Sequence, residues 1–143
     1  MVELPFGYEL ISDQTLIDVE AAHGYLSRSY WSSGIPRETV ERALTNSLCV
    51  AVRFEGAQVA MARVVTDRAT FAYLADVYVL EEHRGYGLSK AMVAHLHALP
   101  ELSGLRRWLL MTRDAHDLYR QFGWTPLANP GFAMERHDPE VYQ

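Results

Sequence analysis

The feature that most constrains the fold is the run from Thr70 to Leu80, which is almost continuously apolar apart from Asp76. A run of this length and composition predicts a central strand that is buried on both faces. A loop containing two glycines, residues 81–87, follows the run and leads into a helix that Pro100 ends. A strand, a tight turn and a helix in this order predict a crossover unit in a mixed α/β domain.

Helical and alternating apolar patterns continue on both sides of that unit. The predicted elements, in chain order, lie at residues 8–12, 15–28, 36–46, 48–54, 58–65, 70–80, 88–99, 108–112, 114–122, 124–127 and 132–136. Their order is β-α-α-β-β-β-α-β-α-β-β, which is an α/β fold with one mixed sheet. A chain of 143 residues with 49% hydrophobic residues predicts a single domain over residues 1–143.

Composition excludes several classes of protein. The single cysteine, Cys49, cannot form an internal disulfide or a cysteine-rich zinc site, and the six histidines show no metal-ligand spacing, so no metal is expected. No apolar run approaches the ~18 residues of a membrane-spanning helix, and the first residues do not resemble a signal peptide. We therefore expect a cytoplasmic protein with no membrane partner.

The charge is unevenly distributed along the chain. The net charge of −5 argues against a nucleic-acid partner, but residues 83–120 carry six basic and three acidic side chains. Residues 1–82 carry twelve acidic side chains and six arginines. This distribution favours one anionic ligand near the basic stretch and a cationic second ligand. Ordinary variation of surface charge along a chain is the alternative.

The stretch Arg84-Gly85-Tyr86-Gly87-Leu88-Ser89-Lys90, called the glycine loop below, is the sharpest chemical signal. Its glycines allow a tight turn that exposes backbone N–H groups at the start of a helix, where a pyrophosphate can bind. The spacing differs from the dinucleotide fingerprint, and no Walker A sequence is present. A plain strand-to-helix turn is the alternative interpretation.

Residues 77–89 resemble the acetyl-coenzyme A motif of the GNAT N-acetyltransferase superfamily, with Arg84, Gly87 and Ser89 at its motif positions. Ser89 replaces the usual final glycine or alanine. A second stretch, residues 108–124, resembles the family's strand and following helix. Ala115, Tyr119 and Gly123 match there, whereas Thr112 replaces the frequent asparagine and Trp124 a phenylalanine.

The resemblance implies a bulged central strand that diverges from the next parallel strand, with the pantetheine arm of acetyl-coenzyme A in the gap. It implies a cofactor-binding set along the strand end, the glycine loop and the second motif: Tyr78, Val79, Leu80, Arg84, Gly85, Tyr86, Gly87, Leu88, Ser89, Lys90, Thr112, Asp114, Ala115 and Tyr119. A backbone N–H near Val79 is expected to polarise the thioester carbonyl.

Tyr119 and Asp76 are the candidate catalytic residues. Tyr119 matches the family tyrosine that protonates the departing thiolate; packing under the coenzyme is its alternative role. Asp76 matches the aspartate of a stretch found in polyamine acetyltransferases and would orient or deprotonate an amine, although Ala75 replaces the preceding glutamate. The alternative for Asp76 is a structural ion pair with an arginine on a neighbouring strand.

Aromatic residues complete the candidate substrate-binding set of Tyr30, Trp31, Tyr73 and Asp76. The loop that carries Tyr30 and Trp31 lines the acceptor pocket in this family, where aromatic rings could hold an alkyl-ammonium group. Core packing is the alternative for these aromatic residues.

The leading hypothesis is an N-acetyltransferase that moves the acetyl group of acetyl-CoA directly to a small cationic amine or a protein amine. A non-catalytic coenzyme A sensor on the same fold is the alternative. The family resemblance also makes a homodimer a candidate assembly.

Overall fold

The computed structural model describes residues 2–143, which form one five-stranded sheet with its strands in chain order. The strands are β1 (Tyr8–Ile11), β2 (Leu48–Phe54), β3 (Ala57–Thr66), β4 (Phe71–Val79) and β5 (Arg107–Leu110). Neighbouring strands are antiparallel except β4 and β5, which are parallel. The parallel pair requires a crossover connection, and a helix provides it.

Four α-helices and several short 3₁₀ turns connect the strands. The helices are α1 (Val19–Leu26), α2 (Arg37–Thr45), α3 (Leu88–His97) and α4 (His116–Arg120). Asp18 caps α1, because its side chain accepts a hydrogen bond from the Ala21 N–H at 3.0 Å. Pro36 precedes α2 with an extended backbone, which suits a residue without an N–H at a helix start.

The side chains of β2 point alternately to the two faces of the sheet, and those of residues 49–52 are buried on both. Val50 and Val52 pack in the cluster that contains α3, whereas Cys49 and Ala51 pack in the cluster that contains α1 and α2. All four side chains are buried. Because successive side chains of a strand point to opposite faces, helices on both faces bury an uninterrupted apolar run.

The second half of β4 departs from regular strand geometry. Between Ala75 and Tyr78 it has one more residue than the facing segment of β3, which is a β-bulge, and Asp76 has a φ of 54°. Pairing with β5 ends at Leu74, opposite Leu110. The bulge and the diverging strands that the family resemblance implies are therefore confirmed, and they open a cleft in the sheet.

Two sequence predictions about strands are wrong. Strand β4 is not buried on both faces throughout, because Tyr73 and residues 75–77 are only half-buried and line the cleft. The last pair of strands, at 124–127 and 132–136, does not form within the described residues. Pro126 cannot donate to a strand ladder, and Trp124 instead donates from its indole Nε1 to His97 Nε2 at 2.9 Å.

The chain after Trp124 forms an exposed arm that returns to the other side of the molecule. Residues 125–141 are exposed, and the side chains of Phe132 and Met134 are almost fully accessible. Tyr142 then packs beside the α1–α2 core cluster, and the Gln143 side chain donates to the Ser33 carbonyl at 3.1 Å. The segment is therefore held at both ends without strand pairing.

The remaining elements follow the predicted order with shifted ends. The predicted first helix is divided into a 3₁₀ turn, Gln14–Leu16, and α1, because Asp13 and Asp18 each cap a separate start. The predicted helix at 114–122 is the shorter α4.

Candidate active site

A cleft of about 1070 Å³ opens where β4 and β5 diverge. The glycine loop and α3 form one end of it, and the loop between α1 and α2 forms the other end together with β3 and β4. Most predicted site residues line this cleft: Tyr30, Trp31, Tyr73, Asp76, Tyr78, Val79, Arg84, Gly85, Gly87, Leu88, Ser89, Lys90, Thr112, Asp114, Ala115 and Tyr119.

Tyr86 and Leu80 are the two predicted cofactor residues that do not line the cleft. The Tyr86 ring lies 6.0 Å from the ring of Tyr8, at the outer side of the glycine loop. The N–H of Leu80 donates to Val59 at 2.9 Å, and its carbonyl accepts from His83 at 2.9 Å. Both backbone groups of Leu80 therefore already have protein partners.

The glycine loop has the backbone geometry of an anion site. Gly85 and Gly87 have φ values of 85° and 81°, and Gly87 directly precedes α3. A Cβ at either position would meet nothing within 4 Å, so glycine is needed there for its backbone conformation rather than for space. The first N–H groups of α3 have no acceptor within the helix and are free to bind phosphate oxygens.

Arg84 crosses from the glycine loop to the end of β4. Its Nε donates to the Val79 carbonyl at 2.9 Å, and its Nη2 donates to the Tyr25 hydroxyl at 3.0 Å. The Tyr25 ring stacks on the Tyr78 ring with centroids 4.3 Å apart. This arginine therefore ties the phosphate end of the cleft to α1, a contact that its place in a motif does not reveal.

Tyr119 lies on α4 with only 7% of its surface exposed. Burial raises the pKa of Tyr119 to about 12, and the nearby Tyr30 adds to the shift. The phenol is therefore neutral at physiological pH and can donate a hydrogen bond into the cleft. Thr112 helps position α4, because its hydroxyl accepts from the Ala115 N–H at 3.0 Å.

Asp76 joins two elements at the other end of the cleft. Its Oδ1 accepts from Trp31 Nε1 at 2.8 Å, and its Oδ2 accepts from Arg63 Nε at 2.8 Å. The Asp76 and Arg63 side chains are 11% and 17% exposed. The ion pair with a neighbouring strand, which the sequence left open as an alternative, is thus present. Arg63 also donates to the Ser47 hydroxyl at 3.2 Å.

Arg113 is a cleft residue that sequence reasoning missed. Its guanidinium carbon lies 3.9 Å from the ring centroid of Tyr30, and the Tyr30 ring meets Trp31 edge-on at 5.1 Å. Arg113 follows β5, whereas Tyr30 lies between α1 and α2. The contact therefore bridges the two sides of the cleft mouth. In the sequence, only the excess of basic side chains in residues 83–120 pointed toward Arg113.

Comparison with known proteins shows which family this chain belongs to. A family model described as an acetyltransferase (GNAT) domain matches residues 45–126, which span the glycine loop and Tyr119. The chain belongs to the GNAT acetyltransferase family. A Gibberella zeae protein named "Putative acetyltransferase FG08082" is 32% identical over 133 residues, covering 78% of this acetyltransferase and 75% of the fungal protein.

Solved structures share the fold of this acetyltransferase. A Xanthomonas campestris protein described as belonging to the GNAT family is 46% identical, with a TM-score of 0.93 over 98% of this chain and 99% of that one. A Deinococcus radiodurans protein is only 18% identical but reaches a TM-score of 0.76 over 99% and 96% of the two chains. The second likeness concerns the fold alone.

Acetyl-CoA is the cosubstrate expected of this family, and the cleft fits it. The left-handed backbone of Gly85 and Gly87, the start of α3 and Lys90 suit a pyrophosphate. Beyond Leu74, the edge of β4 that faces β5 is unpaired and suits an extended pantetheine arm. Within residues 2–143, no group of three metal-ligating side chains comes together. None of the described helices is long and apolar enough to cross a membrane. Cytoplasmic location, partner classes and homodimer formation stay predictions.

Proposed function

We propose that this acetyltransferase moves the acetyl group of acetyl-CoA to a primary amine by direct attack on the thioester. The observation that carries the proposal is the composition of the cleft between β4 and β5. A pyrophosphate-type glycine loop lies at one end of it, and a buried neutral Tyr119 and the aromatic side chains of Tyr30, Trp31 and Tyr73 line the rest. A thioester bound along β4 would lie between the glycine loop and these aromatic side chains.

In the proposed reaction, the neutral amine attacks the thioester carbon after the ammonium form has lost a proton to solvent. A backbone N–H on the open edge of β4 near Val79 would stabilise the oxyanion. The attacking nitrogen would then lose a proton to solvent, the carbonyl would re-form as the C–S bond breaks, and the Tyr119 hydroxyl would protonate the departing thiolate and regain a proton from solvent. The only cysteine is buried in β2 and does not line the cleft, which favours direct transfer over an acyl-enzyme.

We assign Asp76 an orienting role in this reaction. Both of its carboxylate oxygens accept hydrogen bonds from protein donors, one from Trp31 and one from Arg63. An amine proton would therefore compete with an existing donor at either oxygen. Asp76 would instead hold the Trp31 ring against the bound amine.

Thiol release from acetyl-CoA with a panel of primary amines tests the proposal, with coenzyme A binding measured separately by calorimetry. We expect amine-dependent release and a product mass increased by one acetyl group. Tight coenzyme binding without turnover on any amine would instead support the non-catalytic sensor. Absence of binding to both coenzyme A and acetyl-CoA would remove the cleft's assigned role.

A further inference from the structure

The charges at the amine end of the cleft differ from those expected from overall composition. The acidic chain favoured a cationic acceptor, but both oxygens of Asp76, the cleft carboxylate on β4, are engaged. Two arginines, Arg63 and Arg113, line the cleft from β3 and from the segment after β5. Among the other charged cleft residues, Arg84, Lys90 and His83 lie in or beside the glycine loop, whereas Asp114 directly follows Arg113 in the chain.

Arg63 and Arg113 differ in the donors that they have available. Arg63 donates to Asp76 and to Ser47, so its charge is locally balanced. Arg113 forms no salt bridge within residues 2–143, and its guanidinium makes no hydrogen bond to another described side chain. Its contact with Tyr30 is a stack at 3.9 Å, and a stacked guanidinium keeps its N–H groups free around its edge.

These observations point to a binding site for an anion at the cleft mouth. We propose that the acceptor is a primary amine that also carries an anionic oxygen group, a carboxylate or a phosphate, and that Arg113 binds this group. The inference rests on the proposed acetyl transfer to an amine. Arg113 is suited to the task because a guanidinium edge matches two anionic oxygens with two parallel hydrogen bonds. Tyr30 supports the guanidinium from one face, so that edge is presented to the cleft.

Matched pairs of amines test the proposal by steady-state kinetics. Phenylalanine is compared with 2-phenylethylamine for the carboxylate, and O-phosphoethanolamine with ethanolamine for the phosphate. In at least one pair, we expect the anionic member to have a kcat/KM about tenfold or more above its partner, as for a charge-assisted bidentate contact. Equal or reversed preference in both pairs would overturn the proposal.

Two variants distinguish binding by Arg113 from a general effect of positive surface charge. In Arg113→Gln the ratio of the kcat/KM values of the anionic and neutral amines should fall to near unity, with the KM for acetyl-CoA unchanged. In Arg106→Gln, which removes an exposed charge that does not line the cleft, the preference should persist. A raised KM for acetyl-CoA in Arg113→Gln with the amine preference retained would instead assign Arg113 to the coenzyme and reject the anion site.

A binding experiment keeps this inference separate from the proposed function. Calorimetry on the coenzyme A-loaded protein compares 3-phenylpropionate with 3-phenylpropionamide, neither of which can be acetylated on an amine. Binding of the carboxylate alone, lost in Arg113→Gln, would support the anion site even if no amine were acetylated. Equal binding of both compounds, or of the carboxylate to wild type and variant, would reject the anion site whatever the activity.

Discussion

The indole Nε1 of Trp31 donates a hydrogen bond to Oδ1 of Asp76 at 2.8 Å, and this bond joins the α1–α2 loop to the bulge of β4. Its partners are separated by 45 residues in the chain. The loop that carries the aromatic side chains is thereby held by the strand along which the thioester is proposed to lie. All five predictions below concern groups that line this cleft.

The Trp31 contact is expected to determine acceptor binding. Trp31→Phe keeps an aromatic ring but removes the N–H donor, so the KM for the amine should rise several-fold while the KM for acetyl-CoA stays unchanged. Steady-state kinetics with both substrates varied provide the measurement. The Arg106→Gln protein is a control for surface changes, and an unchanged amine KM in Trp31→Phe would show that the hydrogen bond is dispensable.

The ion pair between Asp76 and Arg63 is expected to stabilise the fold. Asp76→Ala leaves a mostly buried guanidinium without its carboxylate, which should cost on the order of 2 kcal/mol in the free energy of unfolding. Asp76→Asn is the matched control, since asparagine tolerates the left-handed φ and can still accept from Trp31. Urea unfolding measures both; equal stability of wild type and Asp76→Ala would contradict the expectation.

Tyr119→Phe should lower turnover about tenfold or more with coenzyme affinity nearly unchanged, because one general acid commonly contributes 10²–10⁴. Phenylalanine keeps the ring, which packs in the core cluster that contains α3, and removes only the hydroxyl. Single-turnover kinetics and coenzyme A calorimetry separate the two effects. Wild-type turnover would leave Tyr119 with a packing role alone.

Stability should fall in alkaline solution as buried phenols begin to ionise in the unfolded chain. Burial raises the pKa of Tyr78 and Tyr119 to about 12 from the ordinary value of 10.0. The stability that these neutral phenols contribute is complete below pH 10 and is lost as pH rises to about 12, because only the unfolded state releases protons in that window. Urea unfolding at pH 9, 10 and 11 should show the decline, and Tyr119→Phe should make it shallower.

Gly87→Val should abolish measurable coenzyme A binding, because a β-branched residue cannot readily keep the φ of 81° that directs the first N–H groups of α3. Gly56 offers a matched control, since it has the same φ, meets nothing within 4 Å and lies in the β2–β3 turn. Gly56→Val should lose similar stability yet bind coenzyme A normally. Normal binding by Gly87→Val would place the cofactor elsewhere.

Local patterns predicted the parts of this fold that depend on neighbours in sequence. The hairpin of β2 and β3 could be read from alternation around Gly56, and the glycine loop from its position between an apolar run and a helix. The absence of the two late strands could not be predicted, because the residue pattern at 132–136 does not show whether a free edge of the sheet lies close enough for pairing. Pro126 was a visible warning against pairing there.

The site was less accessible to sequence reasoning, since its critical contacts join distant segments. The sequence left an ion pair between Asp76 and an arginine on a neighbouring strand open as an alternative, but it did not predict the positive φ of Asp76 or the hydrogen bond from Trp31. The contact between Arg113 and Tyr30 depends on the tertiary arrangement that places β5 beside β4, so it is not visible in the sequence around either residue. Net charge also did not reveal that both oxygens of Asp76 accept hydrogen bonds from protein donors, Trp31 and Arg63.

The early separation of β4 from β5 has a consequence for how this protein could diversify. The parallel ladder between β4 and β5 consists of four paired residues on each strand and ends at Leu74 and Leu110. The chain beyond these two residues does not contribute to that ladder. Substitutions in the segment after Leu110 can thus reshape the cleft without breaking that ladder. Residues 75–79 of β4 are less free to vary, because they still pair with β3 and include the buried Tyr78 and Val79.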